Sequence, residues 1–177
     1  AMVSIEGLPF ELWQGIVAYY PFNGNANDES GNANDGAVIL AQPGSDRFGS
    51  PNSAYYFDGS NAYIDVASSP SLAFGDAITA TAWIAPELLY PPQGQEGYRG
   101  MEIVGKGVDV EGALDWAFGV NGNILRSKFM LGTWTYFDAP HGLQAKTWQH
   151  VAFNFDGTMM RIFLNGVQTG QQPASGA

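Results

Sequence analysis

The sequence predicts an all-β fold of two antiparallel sheets packed face to face, in a jelly-roll sandwich. Short runs of β-branched and aromatic residues, bounded by Gly, Pro, Asn and Asp, recur about every ten to fifteen residues, and helical periodicity is hard to find. Several runs alternate in polarity, as in "AITATAWI" at 77–84. The dipeptides Asp156-Gly157 and Asn165-Gly166 separate the last runs and indicate tight hairpins.

Taken in chain order, the runs predict eleven strands, with a long irregular segment at 86–100 between the fifth and the sixth. The predicted strands are 16–22, 37–41, 53–57, 63–66, 77–84, 101–105, 116–120, 124–131, 134–138, 149–155 and 160–164. Residues 1–14 are expected to form an N-terminal extension, whose opening "AM" looks like a cloning remnant. Residues 15–177 are expected to form one β-sandwich domain.

Composition restricts the classes of partner. Seven Lys and Arg against seventeen Asp and Glu give a formal net charge of −10, which argues against nucleic acid or an anionic membrane surface, because both require a cationic face. Cysteine is absent, so neither a disulfide nor a thiolate is available. No apolar run reaches the length of about 18 residues that a membrane span needs. Cations, neutral ligands and proteins remain as partners.

A ribbon of oxygen-bearing side chains, "NGNANDESGNANDG" at residues 23–36, separates two apolar runs. Ca²⁺ takes six to eight oxygen ligands from carboxylates, amides, backbone carbonyls and water. Oxygens of these types are supplied by Asp28, Glu29, Asp35, Asn32, Asn34 and the backbone around Gly31. The spacing does not match an EF-hand loop. Two interpretations stay open: a calcium site, or a long turn whose Asp and Asn side chains cap their own backbone.

Three stretches together resemble a known family: "GIVAYYPFNGNANDESGNANDGAV", "RFGSPNSAYYFDGSNAYIDVASSPSL", and "ITATAWIAPE" with the later "WQHVAFNFDGTMMRIFLNGVQTG". They are similar to bacterial laminin G-like domains of the concanavalin A-like lectin/glucanase superfamily, over residues 15 to about 172. The resemblance implies a jelly roll, secretion or cell-surface display, calcium binding and carriage as an accessory module. It also implies a ligand set of Asp28, the Gly31 carbonyl, Asn32 and Asn34.

A second acidic segment, "FDGSNAYIDV", is a weaker metal candidate. Asp58 or Asp65 could reach the same ion or a second one. Asp58-Gly59 is better interpreted as a turn between two strands.

Catalytic residues are not predicted. Hydrolases of this superfamily carry two carboxylates on one strand in a Glu-x-Asp-x-(x)-Glu run, and no such run occurs here. The nearest acidic pairs, Asp109 with Glu111 and Glu102 with Asp109, lie beside glycines. His141 and His150 are expected to be structural. A glycoside hydrolase is therefore the alternative to a binding module, and a structural spacer or assembly module is the third class.

Exposed aromatic side chains are the candidate carbohydrate-binding residues, because sugars stack their C–H surfaces on aromatic faces. Trp83, Trp148, Phe153, Phe155 and Phe163 lie in alternating strands and are expected to pack in the core. The predicted ligand-binding residues, drawn from the long loop and from "GTWTYFDAPHG", are Tyr98, Trp134 and Tyr136. Trp134 and Tyr136 share one strand face, which either forms a platform or packs into the core.

The chain ends soon after the "LNGV" hairpin, whereas members of the resembled family generally continue for two or three further strands. One hypothesis is that a second polypeptide, either a cut C-terminal segment or a partner peptide, adds the missing strands by β-augmentation. Alternatively, residues 1–14 fold back over the gap, or the fold tolerates a short variant. The sequence as a whole predicts an extracellular or cell-surface, calcium-stabilised binding or adhesion module for a glycan or protein ligand.

Overall fold

The computed structural model describes residues 15–73, 77–89, 101–107, 114–121, 124–131, 133–140 and 142–174. The chain divides into two compact units, Ala1–Ala73 and Phe74–Ala177. Almost all regular structure in both units is antiparallel β-sheet, so the prediction of an all-β, two-sheet fold is confirmed. No helix in these residues has both the length and the apolar character needed to cross a membrane.

The first unit contains two short strand pairs. Strand β1 (Gly36–Ile39) pairs with β4 (Tyr63–Val66), and β2 (Gln42–Gly44) pairs with β3 (Ala54–Tyr56). A 3₁₀ turn at Pro70–Leu72 follows. At Gly36, where the ribbon enters β1, an added Cβ would lie 2.6 Å from Ile64 Cγ2. A larger residue there would therefore push the end of the ribbon away from β4.

The second unit contains two four-stranded antiparallel sheets. One sheet has the order β12-β11-β10-β5 and the other has the order β6-β7-β8-β9. The strands are β5 (Ile78–Ile84), β6 (Met101–Gly107), β7 (Leu114–Asn121), β8 (Ile124–Leu131), β9 (Thr133–Pro140), β10 (Gln149–Phe155), β11 (Met159–Leu164) and β12 (Val167–Pro173).

The core of the second unit lies between these two sheets. Phe153 on β10 approaches Phe118 on β7 and Phe129 on β8 at ring-centroid distances of 5.9 and 5.0 Å, so it joins one sheet to the other. Other buried apolar residues of the cluster include Trp116, Val120, Leu125, Phe137, Val151, Phe155, Met160 and Ile162. Burial of these aromatic and branched side chains is the main favourable contribution to folding of this unit.

One core position carries a polar group without a partner. Ser127 on β8 is 0% exposed, and among the described residues its hydroxyl is the buried side-chain atom that makes no hydrogen bond. A buried, unsatisfied hydroxyl costs about 1–3 kcal/mol relative to a satisfied one.

Replacing Ser127 with alanine is therefore expected to raise the free energy of unfolding by about 1 kcal/mol, because the unpaired hydroxyl is removed. The measurement is urea denaturation followed by circular dichroism. Ser69→Ala is the control, since the Ser69 hydroxyl donates to Asn34 Oδ1 at 2.5 Å and its loss should destabilise the protein. A fall in stability for Ser127→Ala would show that its hydroxyl is satisfied.

Three turns follow the sequence prediction. Asp58 Oδ1 accepts the N–H groups of Ser60, Asn61 and Ala62 at 2.9, 3.1 and 3.2 Å, which confirms the turn at Asp58-Gly59. Asp156-Gly157 joins β10 to β11. Asn165-Gly166 joins β11 to β12, and both residues have positive φ, at 50° and 79°, as a type I′ turn requires.

Three predictions of local structure are wrong: the strand at 16–22, the core packing of Trp83, and the core packing of Phe163, which is half-buried on the outward side of β11. Residues 16–22 form no strand, because their backbone groups bond to ribbon side chains instead of to a neighbouring strand. Trp83 does not pack in the core: it is 45% exposed on the outer face of β5, with its ring centroid 5.4 Å from that of His150. Strands β2 and β12 were not predicted, since Pro, Gly and Gln give their sequences little strand character.

Candidate functional site

The Asp28 carboxylate is the centre of the ribbon, residues 23–36. Its Oδ1 accepts the N–H groups of Tyr19 and Ser30, each at 2.8 Å. Its Oδ2 accepts the Ser30 hydroxyl at 2.8 Å and the Asn34 N–H at 3.0 Å. An ionised carboxylate offers about four lone-pair positions, so protein donors fill all of them. Asp28 thereby ties residues 19, 30 and 34 to one point.

These hydrogen bonds determine the ionisation of Asp28. Desolvation by burial opposes the charged form, but the donors from Ser30, Tyr19 and Asn34 outweigh it and hold the pKa of Asp28 below its ordinary value. A lowered pKa means that the carboxylate stabilises the folded state fully above the unfolded-state pKa. This contribution is lost as the pH falls through the lower, folded-state value.

Asn34 is the most deeply placed polar side chain of the ribbon, at 3% exposure. Its Nδ2 donates to the Val17 carbonyl at 2.8 Å and to Ser71 Oγ at 2.9 Å, and its Oδ1 accepts from Ser69 Oγ at 2.5 Å. The Tyr20 hydroxyl donates to the Asn34 carbonyl at 2.6 Å. Asn34 therefore connects the segment before the ribbon to the 3₁₀ turn after β4.

The Tyr20 hydroxyl is kept in its neutral, donating form. Burial, followed by the charges of Asp28 and Asp35, raises the pKa of Tyr20 to about 12. The hydrogen bond to Asn34 is therefore fully present below the unfolded-state pKa of tyrosine and is lost as the pH rises through about 12.

Asn32 also bonds to the segment before the ribbon, and Gly31 precedes Asn32 in the chain. Asn32 Nδ2 donates to the carbonyls of Ile16 and Val17, each at 3.3 Å, and to Ser30 Oγ at 3.1 Å. Gly31 has φ +92°, a conformation that other residues rarely adopt. The structure thus brings Asp28, Asn32 and Asn34 together around residues 16–19.

Oxygens of the kind that Ca²⁺ prefers are present in this cluster, but two of the four proposed ligands are already occupied. Asp28 is filled by four donors, and Asn34 Oδ1, the atom that would bind the ion, accepts the Ser69 hydroxyl at 2.5 Å. The described residues contain no group of three or more His, Cys, Asp or Glu side chains suited to a metal. An ion at Asp28 would have to replace at least one of these donors, so calcium stays a prediction. One carboxylate oxygen of Asp58 accepts three N–H groups of its own turn.

A second cluster of polar and aromatic side chains lies on the outer face of the sheet β6-β7-β8-β9. Along β9, Phe137 and Ala139 are buried in the core, whereas Tyr136 and Asp138 point the other way and are exposed. Tyr136 is directly opposite Lys128 on β8, and Asp138 is directly opposite Arg126. We call the outward surface made by Glu102, Gly119, Arg126, Lys128, Tyr136 and Asp138 the Tyr136 face.

Arg126 and Asp138 form a two-point ion pair on this face. Nε and Nη2 of Arg126 donate to the two Asp138 carboxylate oxygens at 2.6 and 2.7 Å. These bonds raise the pKa of Arg126 above its ordinary value. The guanidinium carbon lies 5.6 Å from the centroid of the Tyr136 ring, within cation–π range. The aromatic ring and the charged fork are therefore side by side.

A second ion pair crosses the strand β7. Lys128 Nζ on β8 lies 2.7 Å from the Glu102 carboxylate on β6, so the pair passes over the small residues Ala117 and Gly119 of the strand between them. A Cβ added to Gly119 would lie 2.6 Å from the Met101 carbonyl oxygen. Gly119 thus allows β6 to pair closely beneath the ion pair.

Of the predicted ligand-binding residues, the structure places Tyr136 on the surface, 45% exposed. Gln172 on β12 fixes the backbone there by donating to the Tyr136 carbonyl at 3.2 Å. Trp134 belongs to β9 and is opposite Met130 in the register, but its side chain lies outside the described part of the structure. Tyr98 lies outside the described residues altogether.

Sequence reasoning missed the partners of Tyr136. The signal for Arg126 and Lys128 was the alternation in "ILRSKFML", where two cations occupy outward positions and Leu125, Ser127 and Phe129 occupy the buried positions beside them. Asp138 has the same parity as Tyr136 on β9. Ser69 and Ser71, which hold Asn34, were also missed, because contacts across more than thirty residues leave no local pattern.

The two carboxylates of the Tyr136 face are engaged in ion pairs. Glu102, Gly119, Arg126 and Asp138 form one row across four strands, so three strand spacings, about 14 Å, separate the backbones of Glu102 and Asp138. Each carboxylate is also held by its own cation. Asp109 and Glu111 lie outside the described residues.

The sequence matches the profile of one family, Laminin_G_3 of the concanavalin A-like lectin/glucanases superfamily, over residues 58–177. The match covers more than half of the chain, and the chain belongs to this family. The predicted resemblance is thereby confirmed. Among curated proteins, none matches the chain in sequence.

Two solved structures share the fold. The binding domain of Paraclostridial Mosquitocidal Protein 1 is similar with a TM-score of 0.69 and 16% identity, over 92% of this chain and 41% of that chain. Domain 4 of AbnA, a GH43 extracellular arabinanase from Geobacillus stearothermophilus, in complex with arabinotriose, is similar with a TM-score of 0.63 and 18% identity, over 89% of this chain and 74% of that chain. At these identities the likeness concerns the fold.

Proposed function

We propose that the protein is a glycan-binding module that recognises a carbohydrate without cutting it. The observation that carries the proposal is the Tyr136 face, where an exposed aromatic ring lies beside a two-point Arg126–Asp138 pair. The arrangement offers a flat apolar surface for sugar C–H groups and polar atoms for sugar hydroxyls. The similar arabinanase domain, solved with arabinotriose, and the similar binding domain support a binding role on this fold.

Replacing Tyr136 with alanine is expected to weaken glycan binding at least tenfold, because the stacking surface is lost. The measurement is affinity electrophoresis in gels containing soluble polysaccharides, followed by calorimetry with the best ligand. Tyr56→Ala is the matched control, since Tyr56 is a tyrosine of the first unit with 53% exposure and should leave binding unchanged. Equal binding by Tyr136→Ala and the wild type would place the glycan site elsewhere.

Enzymatic activity is the competing class. The pairing of both carboxylates of the Tyr136 face with cations favours binding over cleavage. Incubation with the same polysaccharides, followed by an assay for reducing ends, separates the two classes. Release of new reducing ends would favour a glycoside hydrolase, whereas neither binding nor cleavage would favour a protein ligand or a spacer role. We also propose an extracellular or cell-surface location for the protein, because the family and the carbohydrate ligand are both consistent with it.

We further propose that the ribbon takes a structural calcium ion through Asp28, the Gly31 carbonyl, Asn32 and Asn34. Support comes from the convergence of Asp28, Asn32 and Asn34 on residues 16–19. When bound, the ion would neutralise the acidic ribbon and fix its turns, while the chain's own hydrogen bonds hold the same residues in its absence.

If calcium binds only the native state, 1 mM CaCl₂ is expected to raise the melting temperature above that in EGTA by several degrees, by mass action. The measurement is differential scanning calorimetry, with MgCl₂ as the ionic control. An unchanged melting temperature would show that the Asp28 hydrogen bonds hold the ribbon without an ion.

A completing segment from a second polypeptide is also part of the proposal. Among the described strands β5 lies at one end of its sheet, and its inward residues Ile78, Ala80, Ala82 and Ile84 are only half-buried, whereas Val151 and Phe153 on the adjacent β10 are fully buried. An extended segment pairing with β5 would complete this burial. Native mass spectrometry checks the idea, because a folded, monomeric species of 19.0 kDa that unfolds cooperatively would contradict it.

A further inference from the structure

The charges and the unused hydrogen-bonding positions of the Tyr136 face define the class of glycan. We infer that the face binds an uncharged polysaccharide and that the Arg126–Asp138 pair recognises two neighbouring hydroxyl groups of one sugar whose ring stacks on Tyr136. The inference rests on the proposed glycan-binding function and adds the ligand class and the recognising atoms.

The Arg126–Asp138 pair has hydrogen-bonding capacity left over. A guanidinium has five N–H donors, and two of those of Arg126 form hydrogen bonds with Asp138. The Asp138 carboxylate has about four acceptor positions, of which Arg126 takes two. In the described part of the chain, unused donors of Arg126 and unused acceptors of Asp138 therefore belong to one bonded pair. A hydroxyl group both donates and accepts, so two neighbouring hydroxyls can bond to both partners at once.

Partial exposure leaves these atoms accessible. The side chains of Arg126 and Asp138 are 34% and 37% exposed, so about a third of each contacts solvent while their mutual bonds hold them in one orientation. Tyr136 beside them is more exposed still. A polar group already fixed in place loses little rotamer entropy on binding, which favours recognition of a fixed hydroxyl geometry.

The electrostatics of the face favour an uncharged ligand. Both of its cations are neutralised within the face, Arg126 by Asp138 and Lys128 by Glu102 at 2.7 Å. The whole chain carries a net charge of −10, which repels a polyanion at long range. A uronate or sulfate group would have to displace an internal carboxylate from its cation, and it would gain little in exchange. A neutral sugar can hydrogen-bond to the Arg126–Asp138 pair without breaking it.

Two ligand classes and two salt concentrations test this inference. Wild-type binding is measured by affinity electrophoresis and calorimetry against arabinan, xylan and mixed-linkage glucan as neutral polymers, and against polygalacturonate and heparin as anionic ones. We expect binding to at least one neutral polymer, with an affinity that changes less than twofold between 50 and 500 mM NaCl. Preferred binding to an anionic polymer, weakened tenfold or more by salt, would overturn the inference while keeping the glycan-binding function. Binding to none of the polymers would overturn both.

Variants of the ion pair test the recognising atoms. Arg126→Gln is expected to weaken binding to the neutral polymer at least tenfold, and Arg126→Lys, which keeps the charge but not the fork, at least fivefold. Arg161→Gln is the matched control, because Arg161 pairs with Asp156 at 2.6 Å in the other sheet and should leave affinity within twofold of wild type. Melting temperatures identify any variant that fails to fold. Wild-type affinity in folded Arg126→Lys would overturn the assignment of Arg126.

Discussion

Replacing Phe153 with alanine is expected to lower the free energy of unfolding by about 4 kcal/mol, which is in the upper range for large-to-small core substitutions. Phe153 is 0% exposed and contacts Phe118 and Phe129, which belong to the opposite sheet. Truncation removes the contact between the sheets and leaves a cavity that the backbones of two hydrogen-bonded sheets cannot close. The measurement is urea denaturation monitored by near-UV circular dichroism, which reports on aromatic packing.

Phe163→Ala is the control for this substitution. Phe163 lies on β11, in the same sheet as Phe153. Burial alternates along β11, so Phe163, which follows the buried Ile162, is on the outward side and is only half-buried. Its loss is expected to cost less than half as much as the loss of Phe153. Equal costs for the two substitutions would mean that the sheets are held together mainly by contacts other than the aromatic cluster.

The sheets could be predicted from the sequence because their signals are local. Alternation in "HVAFNF" identifies the buried face of β10, and Asn165-Gly166 determines the position of a hairpin through two positive φ angles. Trp83 shows where such reasoning fails. In an alternating strand either face can be apolar, and Ala80 and Ala82 turn inward while the larger Trp83 turns outward. Size alone does not decide which face is buried.

The candidate sites could be predicted only in part. Asp28, Asn32 and Asn34 stand out by composition, and the structure does bring them together. The sequence could not show that main-chain donors from residues 19, 30 and 34 occupy Asp28, because donor direction depends on backbone angles within the ribbon. Tyr136 was predicted as a ligand-binding residue, but the sequence left open whether its strand face was a platform or part of the core. Its ion-paired neighbours come from the register between β8 and β9, which the sequence does not specify.

Asp28→Asn is expected to lower the free energy of unfolding by about 3 kcal/mol in EGTA, although the two side chains have nearly the same shape. Hydrogen bonds to a charged group contribute about 1.5–3 kcal/mol each when buried, and partial exposure of Asp28 reduces this. Both oxygens of Asp28 accept N–H or O–H groups. In either orientation, an asparagine would point its own amide hydrogens at two of these donors. Thermal and urea unfolding of the purified variant give the measurement.

Asp58→Asn is the matched control, because the three N–H donors at Asp58 all reach Oδ1. An asparagine can keep its carbonyl oxygen in that position, so the substitution should cost less than about 0.5 kcal/mol.

The pH dependence gives an independent test: since the folded-state pKa of Asp28 is lowered, wild type should lose its advantage over Asp28→Asn as the pH falls from about 5 towards 2. Repeating the comparison in CaCl₂ separates the two roles of the carboxylate. A gap between wild type and variant that is present in EGTA and widens in calcium means that Asp28 closes the ribbon and also binds the ion, whereas a gap seen only in calcium would contradict the hydrogen-bonded arrangement.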